Sequence, residues 1–296
     1  SGLELYANVR PVRLYPGVTH KVHGIHKQVW DPDLVDIIMI RENTEGLYHS
    51  LLRRMEQRAL GKKDDPIVID EFPGLQGEVA WDPRPISRTG SERVIKFAFD
   101  YAKVRQKKSG KPQSVTCVDK SNVTRGCQLF RKIFREFADS NQDIAVKEAY
   151  IDAFTMWLVR NPEDLDIVVL PNMFGDIATD LASVLQGGMG MSASANMGPR
   201  HMLFEPVHGS APKHAGKNIV NPIAMIQSVQ MMFEALGFRK KDETLDICAE
   251  ILQNSIRGHF EEGAPVTYDL GGTASTSDVG EAIADRCERM LKQRFQ

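Results

Sequence analysis

The chain has 296 residues and carries 37 Lys and Arg against 39 Asp and Glu, a net charge of −2. Mixed charge of that kind gives no footing for nucleic-acid binding, and no apolar run reaches the length of a membrane span. The four cysteines, Cys117, Cys127, Cys248 and Cys287, have neither zinc-ligand nor redox-motif spacing and suggest no disulfide framework, so a reduced, cytoplasmic protein is expected. No signal peptide is visible, and the start, "SGLELYANVRPVRLYPG", lacks an initiator Met and enters in mid-pattern, which predicts a fragment of a longer chain.

Taken in chain order, "YANVRPVR" (6–13) brings Arg10 and Arg13. "DIIMI" (36–40) is a short apolar run bounded by charge, which predicts a buried strand. "RENTEGLYHS" (41–50) follows it with Arg41, Glu42, Asn43 and Tyr48, and an Arg fork suits a carboxylate. Residues 50–90 are charged and punctuated by Pro and Gly, with a short apolar run at 67–69, and read as an arm outside the core. "SERVIKFAFDYAKVRQKK" (91–108) predicts a helix with Ser91 as N-cap and basic residues at its C-terminus. "SVTCVD" (114–119) predicts a second strand, with Lys120 just past its end. In open α/β sheets ligands sit at the carboxyl ends of strands. A helix over 124–138 follows.

"YIDAFTMWL" (150–158) sets one acid, Asp152, in an apolar run, where it needs a partner if buried. "DIVVLP" (166–171) is a third strand. "NMFGDIATDLASVLQGGMG" (172–190) then places Asp176 and Asp180 on one face of a helix, one turn apart, where like charges repel. Asp176 could cap that helix. Asp180 either points to water or shares a cation with Asp176, and hard divalent cations take carboxylate oxygens. "GMGMSA" (188–193) matches G-x-G-x-x-A but follows a helix, so it is a close-packed turn and not a dinucleotide fingerprint.

"EPVHGSAPKHAGKNIVNP" (205–222) is a tight loop with His208, Lys213, His214 and Lys217, and its free backbone N–H groups can approach phosphate or ribose. A polar surface loop is the plain alternative. Helices over 221–237, ending on Gly237, 244–256 and 277–291 complete the chain. Strands interleaved with helices predict an α/β fold.

In their order, "YANVRPVR", "RENTEGLY", "VDKSNV", "YIDAFTM", "NMFGDIATDLAS" and "EPVHGSAPKHAGKNIVNP" resemble the motif set of the isocitrate/isopropylmalate dehydrogenase family, which includes tartrate and D-malate dehydrogenases. The resemblance implies a two-domain α/β homodimer with parallel or mixed sheets flanked by helices and a non-Rossmann cofactor site. Its small, dimerising domain would span 11–186 with an arm at about 50–90, and 1–10 with 187–296 would be what remains of the cofactor-binding domain. It also implies NAD(P)- and Mg²⁺- or Mn²⁺-dependent oxidative decarboxylation of a 2-hydroxy di- or tricarboxylic acid. Asp176 and Asp180 would be metal ligands, joined by Asp152 of the other subunit.

By the same resemblance Arg10, Arg41 and Tyr48 would hold substrate, Lys120 would assist deprotonation of its hydroxyl from the neighbouring subunit, and Tyr48 would return a proton to carbon. Glu205, His208, Gly209, Ser210, Ala211, Lys213, His214, Asn221 and Tyr268 would bind the cofactor. Lys213 stands where NAD-using members usually carry an Asp, and with Tyr268 it favours NADP, although Gly272 occupies the place of a further Arg. "ENTEG" leans towards isocitrate, whereas "GPRHMLFEPVHGSAP" and "NPIAM" resemble the tartrate/D-malate branch, and an isopropylmalate enzyme is a further alternative. A non-catalytic regulatory subunit would be expected to have lost some of Tyr48, Lys120, Asp152, Asp176 and Asp180, and all are present.

Overall fold

The structure, a computed structural model, describes residues 3–48 and 82–294. In chain order the strands are β1 (Ala7–Arg13), β2 (His20–Val22), β3 (Ile25–Lys27), β4 (Asp36–Glu42), β5 (Ser114–Asp119), β6 (Ala145–Tyr150), β7 (Ile167–Leu170), β8 (Ala193–Met197) and β9 (Met202–Pro206). The helices are α1 (Arg88–Ser109), α2 (Arg125–Asp139), α3 (Ile151–Arg160), α4 (Asn172–Ser183), α5 (Ile223–Lys240), α6 (Glu243–Glu261) and α7 (Thr276–Arg294). One seven-stranded mixed sheet runs β6-β5-β7-β4-β1-β8-β9, and β2 pairs with β3 apart from it. β4, β7, β5 and β6 are parallel, while β1 lies antiparallel to both β4 and β8.

Side chains alternate across a strand, and here both faces of the central strands β4, β5 and β7 are covered. Ile38, Ile40, Val115, Cys117, Ile167 and Val169 pack with Phe99 of α1 and Phe130 and Phe134 of α2. Ile37, Met39, Val118, Val168 and Leu170 pack with Phe154 and Leu158 of α3 and Ala178 and Ala182 of α4. Burial on both sides is why these strands read as unbroken apolar runs. Among the described residues no helix is long and apolar enough to cross a membrane.

Several element boundaries differ from the sequence expectation. α1 begins at Arg88, and its cap is Ser87, whose hydroxyl accepts the Gly90 N–H at 3.0 Å. Ser91 is buried inside the helix, where its hydroxyl donates to the Ser87 carbonyl. The cause is tertiary: the Glu45 carboxylate reaches from the loop after β4 to the Ser87 N–H, 2.8 Å away, and fixes the start of α1. α5 does not stop at Gly237 but runs to Lys240, with Lys241 in the left-handed conformation. Gly237 instead marks a helix contact, because a Cβ there would lie 2.6 Å from Asp246 Oδ1 of α6. Residues 49–81, with the 67–69 run, lie outside the described residues, and 88–90 already belong to α1. "GMGMSA" forms a 3₁₀ turn leading into β8, and no helix follows it.

His259, buried in α6, donates from Nε2 to the Pro265 carbonyl at 3.1 Å and leaves Nδ1 without a partner. Burial holds its pKa below the usual imidazole value, with Arg286 adding to the effect and the Pro265 carbonyl opposing it. The unfolded chain therefore takes up this proton near pH 6.5 and the folded protein only at lower pH. Between those values the unfolded state binds more protons, so stability falls as pH falls. Denaturant titrations at pH 7.5 and 5.5 should show a larger loss for the wild type than for His259→Phe, by up to about 1 kcal/mol.

Candidate active site

The carboxyl ends of the parallel strands carry most of the predicted catalytic, substrate-binding and metal-binding residues. Arg41 lies near the end of β4, Lys120 just past β5, Asp152 in the first turn of α3 after β6, and Asp176 and Asp180 on α4 after β7. β1 runs the other way, so its early residues Asn8 and Arg10 reach the same end. The strand register sets Arg41 opposite Asn8.

Asp176 is the centre of this cluster. One of its oxygens accepts from Arg41 Nη1 and the other from the Tyr48 hydroxyl, and Arg10 Nη2 stands 3.8 Å away. It is therefore not a helix cap: α4 starts at Asn172, and Asp176 sits in its second turn. Asp180 is mostly exposed, with 59% of its side chain in solvent, and meets Arg10 Nη1 at 3.3 Å. Within the chain, then, two guanidiniums answer the paired acids. Arg41 is almost fully enclosed; its Nε and Nη2 donate to Asn172 Oδ1 at 2.9 and 2.6 Å. The Tyr48 ring lies 5.1 Å from the same guanidinium. Gly175 makes this packing possible, since a Cβ there would come within 2.6 Å of Arg41 Cγ. The hydrogen bond to Asp176 raises the Tyr48 pKa, because losing the proton would set two anions together. Burial and the nearby Arg41 lower that of Arg10.

Lys120 and Asp152 form a second pair, Nζ to Oδ1 at 2.6 Å. Asp152 is 65% exposed as well as paired, so an acid in this apolar run carries no burial cost. The lysine holds its carboxyl below the ordinary range. α3 turns Asp152 outward while Phe154 and Leu158 point into the core. Arg13 lies away from the cluster and pairs with Asp36 at 3.3 Å.

The third group is the end of β9, the loop after it and the turn at Tyr268–Leu270. Glu205 accepts from Asn196 Nδ2 at 2.8 Å. His208, Gly209, Ser210, Ala211 and Lys213 are exposed, and Ala211 is left-handed at φ 44°. His214 stacks on Tyr268 with ring centroids 6.3 Å apart. Asn221 is buried and engaged internally: its oxygen accepts the Ile223 N–H at 3.0 Å and its nitrogen donates to Asp269 at 3.1 Å. It thereby ties the start of α5 to the turn that carries Tyr268.

The residues present fit the groups that the resemblance implies. Two carboxylates one turn apart offer the oxygen donors a hard divalent cation takes, the rest coming from substrate and water. Among the described residues of this one chain, no three His, Cys, Asp or Glu side chains gather as a metal-holding group. For the nucleotide, His214 Nδ1 is a buried polar atom with no partner beside an exposed aromatic ring and Lys213. Sequence reasoning passed over Asn8, Asn172, Thr179 and Asn196, which orient the arginines and Glu205. Helical spacing held a signal for one of them, since 172, 176 and 180 share a face.

The sequence model of the isocitrate/isopropylmalate dehydrogenases matches residues 1–283. The 3-isopropylmalate/3-methylmalate dehydrogenase of Methanocaldococcus jannaschii is 38% identical over 286 residues, 96% of this chain and 74% of that protein. The tartrate dehydrogenase/decarboxylase of Pseudomonas putida is 37% identical over 290 residues, 96% of this chain and 72% of that protein. The crystal structure of isocitrate dehydrogenase from Methylococcus capsulatus superposes with a TM-score of 0.77 at 35% identity, covering 96% of this chain and 73% of that one. Fold and relatives together define an enzyme of the decarboxylating hydroxy-acid dehydrogenase class, acting on CH–OH. The chain belongs to the isocitrate/isopropylmalate dehydrogenase family.

Proposed function

We propose that this chain oxidatively decarboxylates a 2-hydroxy di- or tricarboxylic acid, most like isocitrate, with Mg²⁺ or Mn²⁺ and NAD(P). The observation that carries this reading is the convergence of Arg10, Arg41 and Tyr48 on Asp176, with Asp180 on Arg10. Arg10 and Arg41 would fork the substrate's carboxylates. Asp176 and Asp180 would hold the divalent ion, which supplies Lewis-acid stabilisation of the oxygen that becomes a ketone. Lys120 would help remove the hydroxyl proton, and Tyr48, a phenol that is protonated at neutral pH and donates to Asp176, would return a proton to the enol carbon. Tartrate/D-malate and 3-isopropylmalate are the alternative substrates, in keeping with the relatives' names.

The same reading divides the chain into a dimerisation unit, 11–186, and a cofactor-binding unit, 1–10 with 187–296. It makes the enzyme a homodimer in which Lys120 and Asp152 complete the neighbour's site. Supporting this, Met156, Trp157 and Val159 on α3, Ile177 on α4 and Val184 just past its end leave apolar side chains exposed on two helices that pack together. The test assays isocitrate, tartrate, D-malate and 3-isopropylmalate with each nucleotide and Mn²⁺. Inactive Lys120→Ala and inactive Asp176→Asn chains are then mixed. A heterodimer collects both lesions in one site and leaves the other whole, so activity should return. No turnover on any acid would refute the reaction, and no recovery after demonstrated subunit exchange would refute the shared site.

NADP is proposed as the preferred nucleotide. The exposed Lys213 ammonium can pair with a 2′-phosphate but offers NAD's ribose no acceptor. A charge-assisted contact of this kind is worth roughly 1.5–3 kcal/mol, or about 10- to 150-fold in relative affinity. Lys213→Asp should move the kcat/KM ratio towards NAD, mainly by weakening NADP. An unchanged ratio, or a wild type that already prefers NAD tenfold, would remove Lys213 from this role.

A further inference from the structure

A row of polar side chains crosses one face of the sheet between the arginine cluster and the loop after β9. Arg10 Nε donates to Asn8 Oδ1 at 2.9 Å. Asn8 Nδ2 donates to Asn196 Oδ1 at 2.8 Å and to Ser194 Oγ at 2.7 Å. Asn196 Nδ2 donates to Glu205 Oε1 at 2.8 Å. Asn43, from the loop after β4, donates to the same Asn196 oxygen at 3.2 Å. Strand register builds the row, because Asn8 pairs directly with Asn196, and Ser194 with Glu205. Both asparagines are buried, with 3% and 7% of their surface exposed.

The direction of the row is chemically forced. A guanidinium only donates and a carboxylate only accepts. Flipping either amide would set Arg10 against an NH₂ group or Glu205 against a carbonyl oxygen. The two amides are therefore locked head to tail between a cation and an anion, an arrangement in which each bond polarises the next. Neither asparagine would touch a reacting atom. Each holds a charged group at one end of the row: Asn8 the Arg10 guanidinium, which faces Asp176 and Asp180, and Asn196 the exposed Glu205 carboxylate.

We propose that Asn8 and Asn196 are positioning residues that couple the two halves of the site. They fix Arg10 for the substrate carboxylate and Glu205 for a hydroxyl of the nucleotide, so that filling one end organises the other. This rests on the functional reading above. Energetic coupling along the row is measured by a mutant cycle.

Asn196→Ala and the isosteric Asn196→Asp are assayed in the intact protein with the hydroxy acid the wild type turns over and its preferred nucleotide, and checked for folding by thermal melting. Both variants should raise the KM of the nucleotide and also that of the hydroxy acid, each by about fivefold or more, although Asn196 does not contact Arg10. In an Arg10→Lys background, which removes the Nε donor, Asn196→Ala should raise the hydroxy-acid KM no further. Adding Glu205→Gln to Asn196→Asp restores an amide-to-carboxylate bond between the same positions and should bring the hydroxy-acid KM back towards wild type, a rescue that mere loss of packing would not show. If Asn196→Ala fails to fold, the Asn196→Asp pair decides. A hydroxy-acid KM within twofold of wild type in Asn196→Asp, effects that multiply with Arg10→Lys, or no rescue would overturn the proposal alone. A wild type with no turnover overturns the functional reading and the proposal together.

Discussion

Asp176→Asn should lower turnover by about 10³-fold or more while the protein keeps its fold. Lewis-acid stabilisation is worth several kcal/mol, and each 1.36 kcal/mol is tenfold in rate. The substitution removes an anionic oxygen donor without changing side-chain volume. It also takes away the negative charge that Arg41 and the Tyr48 hydroxyl address and that Arg10 faces at 3.8 Å. Some stability should be lost as well, because Arg41 is almost fully enclosed and loses its counter-charge. Asp176 is itself one-third exposed, so water softens that loss. The measurements are kcat with Mn²⁺ and thermal melting in parallel. The comparison variant is Asp180→Asn: its carboxylate is mostly exposed, so it should cost activity with little effect on melting. Near-normal turnover in Asp176→Asn would remove the metal assignment.

The largest effect on stability is expected at Asp119, the last residue of β5. Its carboxylate is fully buried and accepts Arg131 Nε at 2.8 Å and Nη2 at 2.9 Å. Arg131 also donates to the Ala149 carbonyl at 2.9 Å, so one guanidinium ties α2 to β5 and β6. Removing one member of a buried pair leaves the other uncompensated, which costs about 3–5 kcal/mol. Asp119→Ala should lose about that much in denaturant unfolding. Replacing both partners by apolar residues, Asp119→Leu with Arg131→Met, should recover most of it, since no buried charge remains. Asp119 Oδ1 also accepts the Ser121 N–H at 2.7 Å, immediately past Lys120. The double variant should therefore refold well yet keep poor activity, because the turn that carries Lys120 has lost its anchor. A double variant as unstable as Asp119→Ala would show that packing, and not the unpaired charge, sets the cost.

By itself the sequence determined the fold class, three of the four parallel strands and most of the helices, while β6, mostly exposed and without an apolar run, left no such pattern. Unbroken runs such as "DIIMI" and "DIVVL" are what a strand covered on both faces requires, and the helical spacing of Asp176 and Asp180 places them on one face whatever surrounds them. It also determined the family, because ordered motifs survive in the residue string. Tertiary structure decided what those residues touch. The start of α1 is set by Glu45, far away in the chain, and not by the nearest serine, Ser91. Gly237 is a contact point for α6 and not a helix end, since close approach and chain termination use the same residue type. Asp152 is exposed because α3 turns only Phe154 and Leu158 inward and leaves Met156, Trp157 and Val159 outside with it, a choice of face that an apolar run does not reveal. The row from Arg10 to Glu205 depends on strand register across β1, β8 and β9, which brings together residues far apart in sequence. Local pattern fixes which face of an element is polar; only pairing and packing fix which polar groups meet.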